Sequence, residues 1–438
     1  MSSIEEVVQA LQEVLGPSAD EKGRGSGFIQ RERAMSGSQF ARMLVFGWWS
    51  NPQATLEDLA QMGASVGIGI SSQGLDQRFT GSAAEFMKQV LEGAVQQIIQ
   101  ADVSVQGLLG RFRGVYIQDS TSIVLPDSLK SVWAGCGGRV ANHSQAALKI
   151  QVQQELGRGG LHDLWLQAGR EHDQHTSVPV ETLAEGSLRL ADAGYFNLEY
   201  FAQLGRAGRY WLSLLKAGTR LVDETGQAYS IDVLLRQTSA DRLERQVWLG
   251  KSKRLPARLL AQRLPPDLVA QRRQQLLREA QREGQVLSPA RWTLAAWIVY
   301  VTNVPPTLLS FDEVFRLGRV RWQIELLFKL WKSEGHLDES RSTNPWRILC
   351  EVYAKLLALL IQHWLLLLSC WQFPDRSLTK AIHTVRQFAL TVALAWPSRS
   401  ALTRVLKAVC RSLAHGCRIF KSKMKPPTFL LLAVEGLT

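Results

Sequence analysis

The feature that most constrains the fold is residues 318–332, Gly-Arg-Val-Arg-Trp-Gln-Ile-Glu-Leu-Leu-Phe-Lys-Leu-Trp-Lys. Its apolar residues recur at steps of four, three and four, at Val320, Ile324, Leu327 and Trp331. This spacing predicts a helix with one continuous apolar stripe, which has to be buried against other parts of the chain. The chain must therefore provide a core for this helix.

The polar side chains of the same helix fall on a second face. Arg321, Glu325 and Lys332 share one narrow arc at helical spacing. A carboxylate between two cations on a half-buried helix suits a site that handles a metal ion and phosphate. A solvated ion-pair face is the alternative, because Arg–Glu pairs four residues apart are common on helices. Taken alone, the segment favours the alternative, and the rest of the chain reverses that preference.

Length and charge narrow the class of protein. A chain of 438 residues predicts two or three domains. The net charge of +12 predicts a polyanionic partner, because basic surfaces attract polyanions and displace their counterions. The five cysteines include no Cys-x2-Cys pair, which argues against a disulfide framework or a structural zinc site and for a reducing compartment.

Nothing in the sequence predicts a membrane protein. The first residues are acidic and amphipathic, unlike a signal peptide. The apolar run 356–370 is shorter than a membrane span and contains Gln362 and His363. We therefore predict a buried core helix there.

The order of predicted elements indicates a mixed α/β chain between helical ends. In residues 1–105, a capping box at 55–58 opens one helix, and Ser71 or Ser72 caps the next. This pair is either a helix-turn-helix that reads DNA or a plain helical hairpin. Strands are predicted at 114–118, 146–154, 161–167, 187–191, 210–215, 227–235, 246–249 and 297–302. One helix is predicted at 310–333, and further helices to about residue 420.

Basic residues concentrate in two places. The first is a run from 251 to 282, which includes Lys251, Lys253 and Arg254. The second is the tail, with Arg418, Lys421, Lys423 and Lys425. Both are predicted to hold duplex DNA without sequence preference.

Two aspartates stand where predicted strands end. Asp119 follows strand 115–118, and Asp192 follows strand 188–191. Functional groups in α/β folds cluster at the carboxyl ends of strands, although a single aspartate there more often caps a turn. Together with Glu325 they could bind two divalent cations, since carboxylate oxygens suit Mg²⁺ and paired ions catalyse phosphodiester chemistry.

Three motifs in this order resemble the DDE transposases of bacterial insertion sequences. They are Gln118-Asp119-Ser-Thr, the block Ala-Asp192-Ala-Gly-Tyr-Phe, and Arg321-x3-Glu325-x6-Lys332. The likeness is greatest to the family with the signature Tyr-x2-Arg-x3-Glu-x6-Lys, and it covers nearly the whole chain.

The resemblance implies an α/β fold with an RNase H-like catalytic core and a β-rich insertion, flanked by N- and C-terminal helical domains. It implies a helical DNA-binding domain at 1–108 and the first part of the core at 109–217. A β-rich basic insertion is expected at 218–295, the last core strand and the glutamate helix at 296–345, and a helical region at 346–438.

The resemblance also implies the chemistry. Asp119, Asp192 and Glu325 would be the catalytic triad and would hold two Mg²⁺ or Mn²⁺ ions. Arg321 and Lys332 would contact phosphates at the ends of the insertion sequence. Family members insert a tryptophan against a flipped base, and Trp297 is the candidate, with an ordinary core tryptophan as the equal alternative.

The implied function is cut-and-paste transposition. The partners would be double-stranded DNA, at the ends of the insertion sequence and at the target, and a second copy of the chain in a synaptic homodimer. No membrane is expected, and the location would be the bacterial cytoplasm, on the nucleoid.

One departure keeps other hypotheses open. The signature expects a tyrosine three residues before Arg321, and this chain has Gly318. The change could mean weaker hairpin chemistry, a compensating aromatic elsewhere or a decaying copy. A transposase-derived DNA-binding protein without cleavage activity is therefore the second hypothesis, and an RNase H-like nuclease or resolvase the third.

Overall fold

The computed structural model describes residues 3–31, 35–102, 104–105, 107–136, 144–173, 178–284, 286–373 and 375–419. These residues divide into two compact units. Unit 1 draws on residues up to 106, 119–171 and from 323 onward, and unit 2 on 107–118 and 172–322. Lys421, Lys423 and Lys425 of the predicted basic tail lie outside the described residues.

The helices, in chain order, are α1 Ile4–Val14, α2 Pro17–Gly25, α3 Gly37–Ser50, α4 Leu56–Ser65, α5 Ser72–Asp76, α6 Gly81–Val95, α7 Leu198–Arg206, α8 Ile231–Gln237, α9 Pro266–Glu283, α10 Pro289–Leu294, α11 Phe311–Val320, α12 Trp322–Ser333, α13 Pro345–Leu367, α14 Leu378–Arg386, α15 Ala389–Ala395 and α16 Arg399–Gly416. The strands are β1 Val115–Leu125, β2 Ala146–Glu155, β3 Leu161–Ala168, β4 Leu188–Ala191, β5 Tyr210–Leu214, β6 Arg220–Val222, β7 Ala228–Ser230, β8 Arg242–Leu249, β9 Leu255–Arg263 and β10 Trp297–Thr302.

Unit 1 is mainly helical, and its N-terminal helices begin where the sequence provides caps. The predicted capping box is confirmed, since the Thr55 hydroxyl accepts from Asp58 N and the Asp58 carboxylate accepts from Thr55 N. Ser71 caps α5. Whether α4 and α5 read DNA stays a prediction. In the same unit β2 and β3 form an antiparallel pair.

Helix α13 is the most apolar element of unit 1. By length and composition it could cross a membrane, but its 18-residue apolar window is entirely buried. The core helix of a soluble protein has the same properties. The predicted buried helix is therefore confirmed.

Unit 2 is built on a mixed sheet. Strands β1, β4 and β5 pair in parallel, and β10 pairs antiparallel with β5. On its other edge β10 pairs with β9, which pairs with β8, and β6 and β7 complete this side. The strands of the 218–295 segment therefore extend the sheet that carries β1 and β4. This architecture confirms the mixed α/β class.

Four local predictions were wrong. Residues 231–237 form α8 instead of continuing a strand, because Ile231, Leu234 and Leu235 follow a helical period and are buried together. Helix α9 occupies much of the basic run; a proline at its first turn and a left-handed Gly284 at its end favour this helix.

The other two corrections concern the site. The predicted single helix 310–333 is two helices, α11 and α12, with Arg321 as the C-cap between them. Strand β1 does not end at Gln118 but continues to Leu125, through Asp119 and a polar stretch in which Ile123 and Leu125 are buried. Two of the unit boundaries fall at these places, between Gln118 and Asp119 and between Trp322 and Gln323.

Candidate active site

Asp192 is fixed by the end of β4. It is the N-cap of the short turn Ala193–Tyr195, and its Oδ1 accepts from the Ala193 backbone N–H at 2.6 Å. The side chain is 38% exposed. This cap orients one carboxylate oxygen while the group remains accessible to a ligand.

Arg321 reaches the same carboxylate from the end of α11. Its Nη1 lies 3.9 Å from Asp192 Oδ2, and the arginine side chain is 18% exposed. Two predicted site residues, 129 positions apart in the chain, therefore meet within unit 2. A partly buried guanidinium beside a carboxylate can bind a phosphate next to that carboxylate.

The start of α11 is anchored to the rest of unit 2. Glu313 accepts from the Ser310 backbone N–H at 2.8 Å, and Arg111 contacts both of its oxygens at 2.8 and 3.0 Å. Burial tends to raise the pKa of Glu313, but hydrogen bonds from Arg111 and Ser310 outweigh it and hold that pKa below its ordinary value. The anchor fixes the helix that ends at Arg321.

A buried arginine lies beneath this region, and sequence reasoning missed it. Arg189 on β4 is 1% exposed, and its Nη2 donates to Gln118 Oε1 at 2.7 Å. Its guanidinium lies 4.6 Å from the ring centroid of Tyr200. Burial lowers the pKa of Arg189. The charged residue inside the run Leu188-Arg-Leu-Ala191 was the signal, because central parallel strands are usually continuously apolar.

The other two carboxylates of the predicted triad and Lys332 lie in unit 1. Asp119 is half-buried on β1, and its Oδ1 accepts from the Ser120 backbone N–H at 2.8 Å. Glu325 is half-buried in the first turn of α12. Lys332, near the end of that helix, donates from Nζ to the Ser122 carbonyl at 3.0 Å. This bond ties α12 to the second half of β1.

The two tryptophans beside the last strand differ sharply. Trp297 is 4% exposed, belongs to the core of unit 2, and has the Arg263 guanidinium 4.5 Å from its ring. Trp292 on α10 is 38% exposed, with Arg273 4.5 Å from its ring, and sequence reasoning passed over it. Base stacking by Trp297 stays a prediction, and Trp292 is the more accessible ring.

The predicted DNA-contacting cations of the insertion lie in the turn between β8 and β9. Lys251, Lys253 and Arg254 are all exposed. Lys253 forms an ion pair with Glu199 on α7, and Arg254 has a left-handed backbone with φ of 44°. Helix α9 of the same insertion carries four more arginines: Arg272, Arg273, Arg278 and Arg282.

The predicted metal ligands are all carboxylates. Among the residues that the structure describes, no three His, Cys, Asp or Glu side chains are grouped as a metal site. The donor chemistry of Asp119, Asp192 and Glu325 does fit Mg²⁺ or Mn²⁺, because these ions prefer carboxylate oxygens. Asp119 and Asp192 each have one oxygen already oriented by a backbone N–H.

Comparison with known proteins identifies the family. The sequence profile described as the transposase DDE domain matches residues 110–361, more than half of the chain. The matched segment includes Asp119, Asp192, Arg321, Glu325 and Lys332. Proteins of this family generally use divalent metal ions.

Two curated relatives are similar over most of their length, and a third is similar over a shorter segment. The transposase of insertion sequence IS231F from Bacillus thuringiensis subsp. israelensis is 28% identical over 380 residues, covering 81% of this chain and 78% of the relative. That of IS1151 from Clostridium perfringens is 25% identical over 362 residues, covering 77% and 75%. A putative transposase InsL of IS186A from Escherichia coli is 36% identical over 103 residues, covering 24% and 28%. The chain therefore belongs to the DDE transposases of bacterial insertion sequences.

Proposed function

We propose that this protein excises its own insertion sequence from duplex DNA and joins it to a target by a cut-and-paste mechanism. Asp119, Asp192 and Glu325 would form the catalytic triad on an RNase H-like core. The parallel pairing of β1, β4 and β5 and the β2–β3 hairpin support that fold. The DNA partners are the ends of the insertion sequence and the target, held by a homodimer at the nucleoid.

The observation that carries the proposal is the meeting of Arg321 with Asp192. The arginine belongs to the Arg-x3-Glu-x6-Lys motif, and the aspartate to the Ala-Asp-Ala-Gly-Tyr-Phe block. Their side chains approach to 3.9 Å although the motifs are far apart in sequence. A surface ion-pair face on one helix, the alternative explanation of the motif, does not require this contact.

The register of the sheet supports pairing the two aspartates. Val115, Tyr116 and Ile117 lie opposite Leu188, Arg189 and Leu190 in the parallel β1–β4 pair. Asp119 comes two residues after Ile117, and Asp192 two residues after Leu190. Equal positions on adjacent parallel strands are where two carboxylates share a site.

The Lys332–Ser122 bond supports placing Glu325 with Asp119. From Lys332 back to Glu325 is seven residues, about 10 Å along a helix. From Ser122 back to Asp119 is three residues, also about 10 Å along a strand. A helix and a strand that run in the same direction from this bond would carry Glu325 and Asp119 over equal spans, and this match supports the proposed pairing.

The roles of the side chains follow from their chemistry. Divalent cations bound by the three carboxylates would activate the attacking oxygen and stabilise the leaving oxygen of the phosphodiester. Arg321 and Lys332 would hold the phosphates on either side of the scissile bond and fix its orientation. Glu313 would hold α11, and so Arg321, in position. Trp292 is better exposed than Trp297 to stack on an unpaired base.

A derived protein that binds DNA without cleaving it is the second candidate, and Gly318 in place of the signature tyrosine favours it. One assay distinguishes a transposase from a protein that only binds DNA. Purified protein with Mn²⁺ is incubated with a supercoiled plasmid that carries both inverted repeats flanking this gene. A transposase releases the segment between the repeats, whereas a derived binder retards end DNA and leaves the plasmid intact.

The triad is tested in the same assay. Glu325→Gln should abolish release and leave end binding within about twofold, because the amide keeps the shape of the side chain but is a poor ligand for Mg²⁺. Lys329→Gln, on an exposed position of the same helix, is the matched control and should release the segment normally. Normal release by Glu325→Gln would exclude the proposed triad.

A further inference from the structure

Strand β10 places a tyrosine at the helix position where the signature expects one. A Cβ built on Gly318 would lie 2.9 Å from Tyr300 Cε1 and closer still to Cζ and Oη. Any larger residue at 318 would therefore have to displace the Tyr300 side chain. The glycine and the tyrosine fit each other as a pair within unit 2.

The Tyr300 ring is held on two sides. Its strand lies between β5 and β9, with Tyr300 opposite Leu214 and Leu260. Phe315, one helical turn before Gly318, contacts the ring edge-on at a centroid distance of 5.2 Å. The hydroxyl is therefore presented at a fixed position beside the end of α11.

The Tyr300 side chain is 9% exposed, and no hydrogen bond joins its hydroxyl to another of the described residues. The hydroxyl therefore keeps its capacity to donate to a ligand that reaches this end of α11. Burial raises the pKa of Tyr300 to about 12, and the smaller effects of Arg321, which lowers it, and Asp192, which raises it, oppose each other. The phenol therefore keeps its proton at all ordinary pH values and can donate it in a hydrogen bond.

We propose that Tyr300 replaces the signature tyrosine, and that its hydroxyl donates to the same DNA phosphate that Arg321 contacts. An O–H donor beside a guanidinium is a suitable pair for two oxygens of one phosphate. On this assignment Gly318 is a compensated substitution and does not indicate lost activity. The assignment rests on the proposed function, because it needs end DNA in the site.

Tyr300→Phe tests it, because this variant removes the hydroxyl and keeps the ring. Binding is measured in EDTA with two duplexes that carry the inverted repeat. One has a normal phosphate at the scissile position, and the other has an uncharged methylphosphonate at that position. We expect binding to the normal duplex to weaken about tenfold, and cleavage in Mn²⁺ to fall about tenfold to a hundredfold. On the methylphosphonate duplex, wild type and variant should bind almost equally.

A second variant moves the phenol to the helix. Tyr300→Gly combined with Gly318→Tyr should recover much of the cleavage that Tyr300→Gly loses, since the two side chains would occupy one space. No recovery would overturn the equivalence of the two positions. Tyr210→Phe, on neighbouring strand β5, is the control and should behave like wild type.

The outcomes separate this inference from the proposed function. If wild type neither binds nor cleaves its end DNA, the proposed function fails. If wild type is active and Tyr300→Phe binds and cleaves equally well, only this inference fails. If Tyr300→Phe does not fold, the hydroxyl has a protein partner and the inference also fails.

Discussion

Two regions of unit 2 differ in where most of their cations lie. The parallel region, in which we include β1, β4, β5, β10 and α11, holds the buried Arg189 by a short contact with Gln118. The insertion, residues 218–295, also buries Arg258 beside Glu244, but it carries most of its cations at the surface, as at Lys251 and Arg254. Both regions belong to one sheet, so the difference lies in the side chains and not in the backbone architecture.

The contrast indicates a division of work. Removing a charge from water costs several kcal/mol unless hydrogen bonds replace the solvent, so a buried charge has a fixed position. Exposed cations attract DNA through a field that salt screens within about 10 Å. Substitutions of the catalytic carboxylate in the parallel region should therefore change the chemistry at nearly constant binding, and substitutions of exposed cations in the insertion should change binding and its dependence on salt.

The largest effect is expected at Asp192. Asp192→Asn keeps the cap on Ala193, since asparagine is an equally good N-cap, but removes the negative charge that a divalent cation needs. Cleavage of a plasmid carrying the insertion sequence should fall about a thousandfold or more, with end binding in EDTA unchanged.

Asp241→Asn in the insertion is the matched control, because that carboxylate is 81% exposed and pairs only with Arg263 among the described residues. It should cleave within about twofold of wild type. Equal losses in the two variants would remove the distinction between the regions.

The next largest effects are expected from replacing Trp297 and Trp292. Trp297→Ala should lower the free energy of unfolding by about 3–5 kcal/mol, because it leaves a cavity in the core of unit 2. Trp292→Ala should cost less than about 1 kcal/mol of stability.

Cleavage should fall mainly in the Trp292 variant if its ring stacks on a base. Urea unfolding and plasmid cleavage on both variants measure this, and a stable Trp297 variant with lost cleavage would return the stacking role to Trp297.

A smaller, pH-dependent effect is expected at the anchor of α11. The pKa of Glu313 in the folded protein lies below its unfolded value of about 4.3. The ionised carboxylate therefore contributes fully to the free energy of unfolding above about pH 4.3, and this contribution is lost as the pH falls through the folded pKa. Glu313→Gln should destabilise the protein by about 1–3 kcal/mol at pH 7. The difference from wild type should disappear at pH values below the folded pKa. Thermal unfolding of wild type and Glu313→Gln between pH 3 and pH 7 tests this prediction. A stability difference that does not change with pH would contradict the role of Glu313 as the anchor of α11.

The sequence predicted the features that depend on residues close together in the chain. The short runs between turn signals before Asp119 and Asp192 identified β1 and β4, with Val115 and Ile117 adding β-branched residues to β1. The predicted extent of β10 is confirmed. The motif order also predicted Arg321 as a site residue, and the structure places it beside Asp192.

What the sequence could not predict depends on contacts between distant residues. No local pattern indicates that Tyr300 fills the space at Gly318, because the two residues belong to different elements. The break at Arg321 has no proline or glycine to announce it. The glycine at the signature position was a signal that something had changed, and the packing of β10 against α11 supplies Tyr300 as the residue we propose in its place.

The smallest effect is expected in the turn of the insertion. Lys251 and Lys253 are both exposed lysines of one turn, but Lys253 pairs with Glu199. Lys251→Gln should weaken binding to random duplex DNA a few-fold and reduce the slope of log K against log salt by about 0.9, one phosphate contact. Lys253→Gln should change the slope less, because its charge is already partly neutralised on the protein. Fluorescence anisotropy between 50 and 200 mM salt compares them. Equal slopes would show that the ion pair opens on binding, and that this exposed side of unit 2 is rearranged by DNA while the parallel region stays fixed.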